Sequence, residues 1–79
     1  MNVELCLYAS LMTRLPDNCD GNTCIMEIGE GTTIRQLLDR IGIPEETPKL
    51  LFVNGLHAKE HDVLKGEDRL AVFPPIAGG

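Results

Sequence analysis

The hydrophobic period of this chain changes once, between two groups of alternating segments. Ile34, Leu37, Leu38 and Ile41 fall at i, i+3, i+4 and i+7, one stripe of an amphipathic helix. Thr33 followed by Gln36 fits a capping box at its start, and Gly42 with Pro44 beyond it marks its end. Before the helix, Val3, Leu5 and Leu7 alternate with Asn2, Glu4, Cys6 and Tyr8, and Thr23 to Ile28 resumes that period with Cys24, Met26 and Ile28 on one face. After it, Leu50 to Asn54 runs into an Asn54-Gly55 turn signal. Leu56 to Ala58 offers a short edge strand, and Arg69 to Phe73 a last strand beyond the Lys65-Gly66-Glu67-Asp68 turn. A helix between two strand groups predicts an α+β layer, a mixed sheet of four to five strands on one main helix. Residues 9–22, rich in Asp, Asn, Gly and Pro, are expected to be a long polar connection.

With 79 residues there is room for one core, and 43% hydrophobic residues suffice to build it. So small a domain cannot enclose a deep pocket and also supply a catalytic constellation, which argues against a self-sufficient enzyme. A net charge of −5 with seven scattered basic residues argues against nucleic acid and favours partners with basic docking faces. No apolar run is long enough to span a membrane. The start carries Glu4 where a secretory signal would be basic. Three cysteines are an odd number for a disulfide scaffold, so a reducing cytoplasm is the expected location.

The chemistry concentrates at the C-terminus, Phe73-Pro74-Pro75-Ile76-Ala77-Gly78-Gly79. The double proline stiffens an extended path that has no N–H groups for a ladder. Two residues without Cβ then leave a thin, flexible thread ending in an accessible carboxylate. Residues 1–73 are therefore expected to form the domain and 74–79 an extended tail. If Leu5, Leu51, Val53, Leu70 and Val72 point inward, alternation turns Cys6, Phe52, Ala71 and Phe73 outward as a partner surface.

Competing sites are weaker. Cys19-x4-Cys24 and His57-x3-His61 have spacings of a zinc site, but the two pairs have no evident reason to converge, and no metal is expected. Cys6 has no neighbour predicted to activate it. Gly29-Glu30-Gly31 is too short for a phosphate loop, so no nucleotide is expected to bind this chain.

The element order and the free diglycine resemble the β-grasp fold of ubiquitin-like proteins, and more closely the ThiS/MoaD family of sulfur carriers. The matching residues are Gly31-Thr32-Thr33, Leu37-Leu38, Val53-Asn54-Gly55, Leu64, Gly66-Glu67-Asp68 and the whole terminal Phe73–Gly79 segment. An aromatic, two prolines and Ala-Gly-Gly resemble the branch of small subunits of molybdopterin synthase. The resemblance implies that a ubiquitin-activating-like adenylyltransferase uses ATP to adenylate Gly79, with Gly78 leaving the acyl carbon open. It implies that a sulfurtransferase then leaves a thiocarboxylate, and that a synthase large subunit, or another sulfur-accepting synthase, takes the sulfur. Phe52, Ala71, Phe73, Pro74, Pro75, Ile76 and Ala77 would meet these partners. The alternatives are sulfur supply to thiamine thiazole, cysteine or homocysteine, a protein modifier conjugated through Gly79, and a plain interaction domain.

Overall fold

The computed structural model describes residues 1–16 and 19–75. Its elements are β1 (Asn2–Leu7), a 3-10 helix (Ala9–Arg14), β2 (Thr23–Glu27), α1 (Ile34–Arg40), β3 (Leu50–Val53), β4 (Leu56–His57) and β5 (Arg69–Phe73). They form one five-stranded sheet in the order β2-β1-β5-β3-β4. The two hairpins are antiparallel, and β5 returns between them parallel to β1, with Leu5 beside Leu70 and Leu7 beside Val72. This is the β-grasp arrangement.

Alternation does the sorting. Val3, Leu5 and Leu7 of β1, Leu70 and Val72 of β5, Leu51 of β3 and Met26 of β2 share one buried cluster with Ile34, Leu37 and Leu38 of α1. Each fully buried aliphatic side chain contributes about 1.5–3 kcal/mol, so this one layer of contact holds the helix on the sheet. The capping box forms as expected: the Gln36 N–H donates to Thr33 Oγ1 at 3.2 Å, and the Thr33 N–H donates to Gln36 Oε1 at 2.9 Å. Gly42 takes φ +84°, the left-handed stop that a side chain would resist. Arg35 ties α1 to both loops beyond it, donating to Glu60 and to the Ile43 carbonyl, while Lys49 lies 3.1 Å from the same Glu60 carboxylate.

The Asn54-Gly55 turn has positive φ at both residues, +53° and +84°, the geometry that matches the twist of a hairpin. Asn54 also fastens the start of β5: its Oδ1 accepts from the Arg69 N–H and its Nδ2 donates to Asp68, both at 2.9 Å. The side chains of β5 are thereby set in phase from their first residue.

Two expectations need correction, both between β1 and β2. The segment read as a polar connection begins with a 3-10 helix that buries Leu11. Cys19 and Cys24, read as unpaired, form a disulfide with Cα atoms 4.9 Å apart. The cause lies in the backbone. Asp20 and Thr23 exchange both of their main-chain hydrogen bonds, at 2.9 and 3.1 Å, around Gly21. The next residues outward, Cys19 and Cys24, thus face each other as a non-hydrogen-bonded pair, where side chains approach most closely. The odd count of cysteines argued against a scaffold of bridges and is silent about a single staple. Closing so short a loop should add about 2 kcal/mol to stability. Reduction, or replacing both cysteines by serine, is expected to lower the melting temperature by about 10 °C. A reductant-insensitive transition in a calorimetric scan of the oxidised protein would contradict this.

Candidate docking face and tail

The sheet has one face under α1 and one free face, and the residues of the free face are the complements of the core residues. Cys6 of β1, Ala71 of β5, Phe52 of β3 and His57 of β4 stand in one row across four strands, because Cys6 pairs with Ala71, Ala71 with Phe52, and Phe52 with His57. One step along, Phe73 is opposite Leu50. The expected outward set of Phe52, Ala71 and Phe73 is therefore together in space.

Sequence reasoning missed the third aromatic residue at this place. Tyr8 follows β1, and its ring stacks on Phe73 with centroids 4.2 Å apart and planes 8° apart. Phe52 meets Phe73 edge-on at 5.8 Å and His57 edge-on at 5.5 Å. The signal was available, since Tyr8 continues the Cys6 phase of β1. Around these rings lies an open groove of about 320 Å³ lined by Tyr8, Phe52, Gly55, Arg69, Ala71 and Phe73. Three aromatic rings left half-buried on a small domain, with one charged group at the rim, have the composition of a partner-binding hot spot.

Cys6 points to this face but is not exposed, with 0% of its surface accessible. Arg69 is in contact with it: its Nε–H donates to Cys6 Sγ at 3.2 Å and lies 3.0 Å from Glu4 Oε1. The sulfur first, and Glu4 after it, raises the Arg69 pKa above its ordinary value. The guanidinium is accordingly a fixed positive charge. Thr23 Oγ1 is a further polar neighbour of the sulfur at 3.7 Å.

β5 ends at Phe73, and the chain continues through Pro74, half-buried, and Pro75, exposed. Ile76, Ala77, Gly78 and Gly79 lie outside the described residues. The zinc spacing loses its cysteine half, because Cys19 and Cys24 are bonded to each other. No group of three His, Cys, Asp or Glu residues is placed to hold a metal ion among the described residues. No helix among them is long and apolar enough to cross a membrane.

Residues 15–79 match the ThiS family. The chain belongs to the ThiS family. The fold of this ThiS-family protein is similar to that of SAMP1 from Haloferax volcanii, with a TM-score of 0.75, 22% identity and full coverage of both chains. It is also similar to a chain described as molybdopterin converting factor subunit 1 from Pyrococcus furiosus, at TM-score 0.70 and 22% identity over 95% of this chain and 98% of that one. A complex of subunits 1 and 2 of the molybdopterin-converting factor from Helicobacter pylori aligns at TM-score 0.64 and 15% identity, covering both chains in full. No curated protein matches the sequence.

Proposed function

We propose that this protein is a sulfur carrier whose terminal Gly79 carboxylate is adenylated and converted to a thiocarboxylate, serving as the small subunit of molybdopterin synthase. The observation that carries the reading is the continuity of the aromatic groove with the tail. Phe73 is at once the centre of the cluster and the last strand residue before Pro74-Pro75. A partner seated on the groove would hold the first residue of the stalk and so aim the diglycine into its own active site.

The chemistry suits that arrangement. A carboxylate is a poor electrophile. An ATP-dependent, ubiquitin-activating-like enzyme would join it to AMP with release of pyrophosphate, giving an acyl group that sulfur can attack. A sulfurtransferase would supply that sulfur; the carbon–sulfur bond forms as AMP leaves. The thiocarboxylate is nucleophilic at sulfur, and tethering it to a docked domain raises its effective concentration at the acceptor. A synthase large subunit would then accept the sulfur, and water would restore the Gly79 carboxylate. ATP would be bound by the activating enzyme, not by this chain.

A second reading, a protein modifier joined through Gly79 to lysines, is favoured by the likeness to SAMP1. Intact mass separates the two. Protein isolated from its own cells, or incubated with the activating enzyme, ATP and a sulfur source, should gain about 16 daltons as oxygen is exchanged for sulfur. A ladder of conjugates without that species would overturn the carrier reading in favour of the modifier. A sulfur-laden carrier that serves a thiazole or an amino-acid synthase, and not a molybdopterin synthase, would keep the carrier and replace the acceptor.

A further inference from the structure

Arg69 stands out on the free face. It is the one charged residue lining the aromatic groove, and it is held from a single side. Cys6 Sγ and Glu4 Oε1 both engage its Nε, at 3.2 and 3.0 Å. Among the described residues, Nη1 and Nη2 donate no hydrogen bond. The side chain is 57% exposed, so solvent, and not protein, occupies the outer edge of the fork. Glu4 does not line the groove. The pair with Glu4 is a surface contact of small worth, which steadies the guanidinium without consuming its two terminal nitrogens.

We infer that the groove takes a partner segment that presents an apolar side chain beside a carboxylate, and that Arg69 binds this carboxylate through Nη1 and Nη2. The apolar side chain fills the space between Tyr8, Phe52, Ala71 and Phe73. The two parallel N–H donors match a carboxylate in distance and plane, a geometry that an ammonium cannot reproduce. Charge complementarity picks out an acid. On a chain of net charge −5, most of the surface attracts a basic partner face. A single positive fork beside the groove gives the opposite demand at one point, and the combination fixes the orientation of docking. Since Phe73 begins the stalk, orientation at Arg69 determines where the tail is sent. This inference rests on the docking reading above and adds to it a residue that selects the partner.

The test uses the full-length protein and the molybdopterin synthase large subunit from the same organism, titrated calorimetrically at several salt concentrations. Arg69→Gln should weaken binding about ten- to a hundredfold and flatten its salt dependence. Arg69→Glu should weaken it more, and Arg69→Lys should keep the salt dependence while recovering only part of the affinity. Two controls separate a recognition role from packing over Cys6. Each variant should melt within a few degrees of the parent protein, and alkylation of Cys6, the free cysteine, should quicken in Arg69→Gln. A loss of affinity with unchanged salt dependence would assign Arg69 to packing and overturn the inference. So would full affinity in Arg69→Glu while Phe73→Asp fails to bind, a result that leaves the docking face intact. If the parent protein binds neither the large subunit nor the activating enzyme, the docking reading and this inference fall together.

Discussion

Replacing Gly79 by valine is expected to abolish adenylation, by at least about a thousandfold in rate, with no change in the melting temperature. The two halves of that expectation have separate causes. Every buried residue described here lies at or before Val72, and a glycine has no side chain to lend to a core. Activation, in contrast, requires a Gly79 carboxylate oxygen to reach the α-phosphorus of ATP as pyrophosphate leaves, and a sulfur nucleophile then to reach the acyl carbon as AMP leaves. A β-branched side chain on that residue occupies the approach, and its bulk also widens a thread that must enter a narrow channel. Displacements of about 1 Å at a reacting centre already cost about a hundredfold. Gly79→Ala, with one methyl group, should therefore fall between valine and the parent. The measurement is ATP–pyrophosphate exchange catalysed by the activating enzyme, beside a thermal melt of each variant. Normal exchange by Gly79→Val would remove the diglycine from the mechanism and with it the sulfur-carrier reading.

What could be read from the sequence was whatever depends on period and on local backbone chemistry. The stripe from Ile34 to Ile41, the Thr33–Gln36 box and the Asn54-Gly55 turn each have a cause within a few residues of themselves, and each is found in place. The free face was legible for the same reason, since fixing Leu70 and Val72 inward leaves Ala71 and Phe73 nowhere else to go. Failures occur where a residue's fate is decided by a distant neighbour. Leu11 and Leu15 are too few to declare a 3-10 turn, which exists because the sheet offers a place to bury Leu11. Cys19 and Cys24 are a local exception, since they meet through the register around Gly21, a tight turn hidden within what read as a long polar connection. Cys6 faces outward, as alternation requires, yet is buried, and its sulfur accepts from an arginine 63 residues later in the chain. That contact is also why Arg69 escaped notice: as a lone basic residue it looked like ordinary surface charge.

Phe73→Asp is expected to weaken binding to the synthase large subunit and to the activating enzyme about a hundredfold or more, placing Phe73 among hot-spot residues. Three observations set the size. Its ring stacks on Tyr8 and meets Phe52 edge-on, so its removal disperses the whole aromatic surface. The substituted carboxylate would lie at the groove that Arg69 rims, where it can draw the guanidinium inward and repel an incoming acid. And the residue is the last of β5, immediately before Pro74 and Pro75, so displacing it would displace the start of the proposed stalk. Some loss of stability is also expected, because Phe73 is half-buried and paired with Leu50 at the end of β5. Phe73→Leu resolves the two contributions. It keeps an apolar side chain at the strand end, and should melt close to the parent protein, yet it cannot stack on Tyr8 and should lose an intermediate share of affinity. Since adenylation and sulfur delivery would both begin with docking on this face, the same substitution should depress both steps, whereas Gly79→Val should block the first and leave binding to either partner measurable. Unchanged affinity of Phe73→Asp for both proteins would refute the docking role of the aromatic groove, whatever the fate of the terminal carboxylate.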